Sequence, residues 1–149
     1  MLRVAINGFG RIGRTCLRVL LQKKDIQVVA INDLANTQTL AHLFKYDSVH
    51  GPFAGEIAAG DNQLSIDGKT IRVCAELDPL HLPWREMDVD LVIESTGKFI
   101  SREKASLHLQ AGAKQVVISA PASDKDIPTL VMGVNDDVID LQSPILSNA

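Results

Sequence analysis

The residues best suited to chemistry stand at the start of the chain. Asn7-Gly8-Phe9-Gly10-Arg11-Ile12-Gly13 reads G-x-G-x-x-G from Gly8 to Gly13, directly after an apolar stretch and at the head of a helical pattern. In that setting each glycine has a task. Gly8 permits a tight turn, Gly10 lets the backbone come close to a pyrophosphate, and Gly13 lets a helix lie close on a strand. The helix that starts there offers free N–H groups and the positive end of its dipole to phosphate oxygens. Asp33 follows the second apolar stretch, twenty residues after Gly13, where an acid accepts hydrogen bonds from an adenosine ribose. Its negative charge, with Leu34 beside it offering no hydroxyl, disfavours a 2′-phosphate.

The other reactive side chains read as structural. Cys16 lies within the first helical pattern and Cys74 at the end of an alternating strand, each a small buried hydrophobe without an adjacent activating base. His42, His50, His81 and His108 form no i, i+4 pair and have no carboxylate at ligand spacing, so no metal site is expected. Asp124, Asp126, Asp136, Asp137 and Asp140 lack the turn glycine and closing Glu of a calcium loop and read as a solvated face.

The elements that must position the glycines and Asp33 follow from hydrophobic pattern. Val4-Ala5-Ile6, Val28-Val29-Ala30-Ile31, Leu91-Val92-Ile93, Val116-Val117-Ile118 and Leu130-Val131-Met132 are continuous apolar runs, as expected of parallel strands covered on both faces. Between the first two, Ile12, Cys16, Val19 and Leu20 are placed on one helical face, giving a right-handed β-α-β unit. Further helices are expected from Thr37 to about Lys45 and from Arg102 to Ala111, the latter capped by Ser101 and ended by Gly112. Gln63 to Val73 instead alternates, with Leu64, Ile66, Ile71 and Val73 on one face and Asp67-Gly68 at a tight turn. The fold class is α/β: a doubly wound, mostly parallel sheet of the Rossmann type with an inserted β-hairpin, residues 1–149 forming one dinucleotide-binding domain.

Composition agrees. The 149 residues are 46% hydrophobic and 22% charged, with 15 Lys plus Arg against 18 Asp plus Glu, a net charge of -3. That mildly acidic balance, with one Trp and one Tyr, supplies no basic stripe for nucleic acid. No apolar run is long enough to span a bilayer, and Leu2-Arg3-Val4-Ala5-Ile6 begins a strand where a leader would sit, so a membrane partner is not expected. Two cysteines without a framework fit a reducing, cytoplasmic setting.

Several motifs recur together in one order: NGFGRIGR, INDL, Phe44-Lys45-Tyr46-Asp47-Ser48, Ser95-Thr96-Gly97, Ala111-Gly112-Ala113-Lys114, Ile118-Ser119-Ala120-Pro121 and Ser147-Asn148-Ala149. With these the chain resembles, over essentially its whole length, the N-terminal half of the phosphorylating glyceraldehyde-3-phosphate dehydrogenases. The resemblance implies a glycolytic enzyme, a homotetramer, in which a cysteine thiolate adds to an aldehyde, hydride passes to NAD and phosphate releases the acyl group. It implies that the catalytic cysteine follows directly after Ser-Asn-Ala, and that a C-terminal helix and an Asn complete the cofactor site. No catalytic residue is therefore expected among residues 1–149, and the catalytic domain is expected outside them.

Carried over by position, the resemblance puts the Asn7–Gly13 loop, with Arg11 and Ile12, at the pyrophosphate, Asp33 at the adenosine ribose and Leu34 beside it. It puts Thr96, Gly97 and Phe99 along the cofactor, and Ser119 with Ala120 near the nicotinamide ribose. One position departs from the pattern. Leu77 stands where the family usually has Arg or Lys beside the adenine, so a cationic contact is lost. Two alternatives stay open: the matching half of an erythrose-4-phosphate dehydrogenase, and a nucleotide-binding or interaction module without catalysis.

Overall fold

The computed structural model describes residues 1–137 and 140–149. The chain opens as β1 (Leu2–Asn7), α1 (Arg11–Leu20), β2 (Ile26–Asn32) and α2 (Thr37–Lys45). The short pair β3 (Tyr46–Asp47) and β4 (Gly51–Pro52) comes next, then β5 (Ile57–Gly60), β6 (Gln63–Ile66) and β7 (Lys69–Cys74). A 3-10 turn (Pro79–His81) leads to β8 (Leu91–Glu94), α3 (Arg102–Gln110), β9 (Gln115–Ile118) and β10 (Ile145–Ser147).

One eight-stranded sheet runs β10-β9-β8-β1-β2-β7-β6-β5. Its first six members pair in parallel, and numbered among themselves in chain order they read 6-5-4-1-2-3. That is a doubly wound sheet, whose strand order reverses between β1 and β8. Two cores follow from it. Ile6, Phe9, Leu17, Leu40, Phe44 and Ile71 pack under α1 and α2, while Trp84, Val92, Ala105, Val116 and Ile145 pack under α3. Each such fully buried large side chain contributes about 1.5–3 kcal/mol.

Local signals set most boundaries. Asn36 caps α2 by accepting from Thr39 N–H at 2.8 Å, and Ser101 caps α3 by accepting from Lys104 N–H at 3.1 Å. Asp67 and Gly68 both have positive φ (48° and 80°), the two-residue turn joining β6 to β7.

The expected hairpin is present and gains a strand, and two other expectations need correction. The hairpin is a three-stranded meander, β5-β6-β7, and it extends the main sheet because β7 also pairs in parallel with β2. Leu130-Val131-Met132 is no strand: Asn135 accepts from Val131 N–H and donates to Thr129 O, both at 2.7 Å, and Gly133 takes φ 82°. Turn chemistry overrides the apolar run and leaves Met132 69% exposed, while the sixth parallel strand is β10. On α1 the buried residues are Gly13 and Leu17, with Ile12 and Val19 about half exposed. The close approach at Gly13 turns that stripe to the sheet.

Candidate functional site

The carboxyl ends of β1, β2 and β8 converge where the strand order reverses, the place at which doubly wound sheets hold ligands. An open cleft of about 420 Å³ lies there, walled by Asn7, Gly8 and Gly10 on one side, Asn32, Asp33, Leu34, Glu76 and Leu77 on another, and Ser95, Thr96, Lys98 and Phe99 on the third.

The glycine loop forms its floor. Gly8 turns with φ 93°, and a Cβ there would lie 2.9 Å from the Ser95 and Thr96 backbone. Gly8 N–H donates to Asn32 O at 2.8 Å, and Ser95 Oγ–H donates to Gly8 O at 2.6 Å, so the turn is tied to both flanking strands. At Gly13 a Cβ would collide with the Gly8 carbonyl oxygen, whereas at Gly10 it would meet nothing within 4 Å. Gly10 thus leaves its side of the cleft open. No side chain caps α1, and the N–H groups of Arg11, Ile12 and Gly13 precede its first intrahelical bond, Arg14 N–H to Gly10 O at 2.9 Å.

Asp33 faces this loop. Its Oδ2 accepts from Phe9 N–H at 2.9 Å and its Oδ1 from Ala35 N–H at 3.0 Å. Each carboxylate oxygen keeps a lone pair for a further donor. Leu34 (58% exposed) and Leu77 (74%) present apolar surface beside it. Asn32 clamps the wall, donating to Glu76 O and accepting from Glu76 N–H, each at 2.9 Å.

Beneath the floor runs a buried hydrogen-bond chain. Trp84 Nε1–H donates to His108 Nδ1 at 3.0 Å, and His108 Nε2 lies 2.7 Å from Glu94 Oε2. Asn7 Nδ2 donates to Glu94 at 2.5 Å, and Asn32 Nδ2 donates to Asn7 Oδ1 at 2.8 Å. The indole is donor-only, so His108 must accept at Nδ1 and carry its proton on Nε2. The ring is neutral, and its contact with Glu94 is a hydrogen bond, not an ion pair.

Of the positions expected at the site, Asn7, Gly8, Gly10, Asp33, Leu34, Leu77, Thr96 and Phe99 line the cleft. The Asn7 side chain is 2% exposed and wholly engaged by Glu94 and Asn32. The Phe9 ring stacks on Phe44 in the core, leaving only its amide at the loop. Arg11 and Ile12 stand exposed on the first turn of α1, outside the cleft wall with Gly13 and Gly97. Ser119 and Ala120 follow β9, one strand beyond Thr96, where Ser119 N–H and Oγ–H both donate to Glu94 O at 3.0 Å.

Asn32, Glu76, Ser95 and Lys98 join the wall without having been expected there, and His108, which has no carboxylate at ligand spacing in the sequence, sits on Glu94. Pairs 14 or 44 residues apart carry no periodic signal. Burial pushes both the Cys16 and Cys74 thiols up, away from thiolate. The acids near the chain's end hold backbone and Arg102: Asp124 accepts from Arg102 N–H at 2.6 Å and Asp126 from its guanidinium at 3.0 Å. Among the described residues no three His, Cys, Asp or Glu side chains converge as metal ligands, and no helix is long and apolar enough to cross a membrane.

The family described as glyceraldehyde 3-phosphate dehydrogenase, NAD binding domain, matches residues 2–102. The chain belongs to this family. It is an NAD-binding domain of glyceraldehyde-3-phosphate dehydrogenase type. Similar proteins include the glyceraldehyde-3-phosphate dehydrogenases of Thermotoga maritima (58% identical, 100% of this chain and 45% of the relative) and Mycoplasma pneumoniae (57%, 99% and 44%). That of Geobacillus stearothermophilus is 55% identical over 99% of this chain and 44% of its own length. The chain thus spans somewhat under half the length of the curated relatives it matches.

Proposed function

We propose that this chain is the cofactor platform of a phosphorylating, NAD-dependent glyceraldehyde-3-phosphate dehydrogenase, with residues 1–149 acting as its dinucleotide-binding domain. One observation carries the reading. The Asp33 carboxylate, with spare lone pairs, and Gly10, open at the uncapped N-terminus of α1, line the same cleft. These are the two ends of an adenosine diphosphate unit: ribose hydroxyls donate to Asp33, and the pyrophosphate accepts from the N–H groups of Arg11 and Ile12. Leu34 and Leu77 flank the adenine; Thr96, Gly97 and Phe99 lie along the cofactor, with Ser119 and Ala120 toward the nicotinamide ribose.

Bound NAD supplies a hydride acceptor. The chain's own residues bind and orient it. Burial pushes both thiols up, which disfavours either cysteine as the nucleophile. The nucleophile, base and catalytic domain are therefore assigned outside these residues; the triose phosphate substrate follows the relatives' names, and a homotetramer and a place in glycolysis follow the resemblance of the sequence motifs. Free thiols at both cysteines support a cytoplasmic setting, and the net charge of -3 supports a chain without a nucleic-acid partner.

Calorimetric titration tests the reading. The chain binds NAD, and Asp33→Ala weakens it about 10- to 100-fold, the worth of roughly 1.5–3 kcal/mol for hydrogen bonds to a charged acceptor. Equal affinity in variant and parent would remove Asp33 from the site.

A further inference from the structure

Thr96 is the one cleft residue whose hydroxyl is bonded to a buried carboxylate. Its Oγ1 lies 2.5 Å from Glu94 Oε1, and its N–H lies 3.3 Å from the same oxygen. Glu94 Oε2 receives Asn7 Nδ2 and His108 Nε2–H. Three donors independent of the hydroxyl, Thr96 N–H, Asn7 Nδ2–H and His108 Nε2–H, thus point at one carboxylate that is 1% exposed, as suits a group that accepts on both oxygens. Since Glu94 only accepts, Thr96 Oγ1 must donate to it. The same oxygen accepts from Lys98 N–H at 3.1 Å, which leaves one lone pair and no hydrogen for anything in the cleft. His108 maintains this polarity from behind: the donor-only indole of Trp84 keeps its proton on Nε2, aimed at Glu94.

We propose that Glu94, held by His108, is a positioning residue that makes Thr96 a pure hydrogen-bond acceptor toward the cleft. This corner then takes a donor group of the cofactor, a ribose hydroxyl or the carboxamide amino group, and turns away a phosphate oxygen. The proposal rests on the NAD-binding reading and adds a direction to it. At Thr96 the β8 side offers a phosphate no donor, which favours the pyrophosphate on the α1 side.

The test is a set of calorimetric titrations of the chain with NAD. Thr96→Val and Glu94→Gln each weaken binding about three- to tenfold, the worth of one ordinary hydrogen bond, and Thr96→Ser recovers the loss seen with valine. Adding Thr96→Val to Glu94→Gln brings no further loss, because the carboxylate acts through the hydroxyl. A merely structural Glu94 would give losses that add in full, and that result overturns the proposal. Should Glu94→Gln not fold, analogues decide. Among NAD analogues lacking one ribose hydroxyl, or carrying acetyl in place of the carboxamide, one binds the parent chain three- to tenfold more weakly than NAD yet binds Thr96→Val as well as NAD does, and it identifies the donor. Ratios that are the same in both proteins for every analogue overturn the proposal. Parent binding of NAD with an indifferent Thr96→Val removes this proposal alone, whereas a parent chain that binds no NAD removes the cofactor reading with it.

Discussion

Replacing Gly10 and Gly13 in turn by alanine separates two tasks that one motif combines. At Gly13 the new methyl would collide with the Gly8 carbonyl oxygen and press on Ile6 and the Ser95 hydroxyl, each 3.1 Å away. The oxygen belongs to a backbone turn tied on both sides, so it cannot step aside. Overpacking of this kind costs about 3 kcal/mol at the upper end of its range, and alanine's better helix propensity returns about 1. The net loss of about 2 kcal/mol lowers the melting temperature of a domain this size by about 4–8 °C. At Gly10 the methyl meets nothing within 4 Å, and the backbone is already extended at φ -78°. Only a modest N-cap preference is lost, about 0.5 kcal/mol, and melting shifts by about 2 °C or less. That methyl stands where a pyrophosphate must approach, however, so Gly10→Ala weakens NAD at least about tenfold. Calorimetric melts and titrations of both variants check the pair. A Gly13→Ala protein melting with the parent, or a Gly10→Ala protein binding NAD as the parent does, would refute the reasoning.

Discrimination against NADP is expected from Asp33, whose charge sits where a 2′-phosphate would lie, and Leu77 itself supplies no cation to offset it; titration with both dinucleotides checks this, and Asp33→Ser should narrow the gap. Asp47 accepts from Val49 N–H and His50 N–H, both at 2.7 Å, and its carboxyl is lowered from 3.8 to about 2, mainly by the His50 and Val49 backbone bonds. A depressed carboxyl stabilises the folded state above its unfolded value and stops doing so as pH falls through the folded one. The parent should therefore melt above Asp47→Asn near neutral pH, and the gap should close between about pH 4 and 2; a constant gap would contradict this.

Much of this architecture was legible in the residues because its causes are local. Gly8, Gly10 and Gly13 each show the space the motif demands, and Asp67-Gly68, Asn36 and Ser101 place a turn and two helix starts by chemistry that acts within three or four residues. What stayed hidden depends on tertiary pairing. Ile145 and Leu146 make too short an apolar run to announce β10, and only pairing with Val116 and Val117 makes them a strand. Leu130-Val131-Met132 advertises a strand that Gly133 and Asn135 prevent. Glu94 and His108 meet because α3 packs over β9, the strand beside β8, and Asn32 finds Glu76 because β7 returns beside β2.

The most direct measurement of the central claim is amide chemical-shift mapping of the chain as NAD is added. The largest changes should fall on the N–H groups of Arg11, Ile12 and Gly13, on Leu34 and Ala35 beside the Asp33 carboxylate, and on Thr96 and Lys98. A second cleft of about 470 Å³ lies at the opposite end of the sheet, lined by Leu20, Leu21, Lys23, Lys24, Ile26 and Lys69, and it offers an anion positive charge without a glycine loop. Saturable changes confined to that cleft, with the Gly8–Gly13 loop silent, would contradict the account.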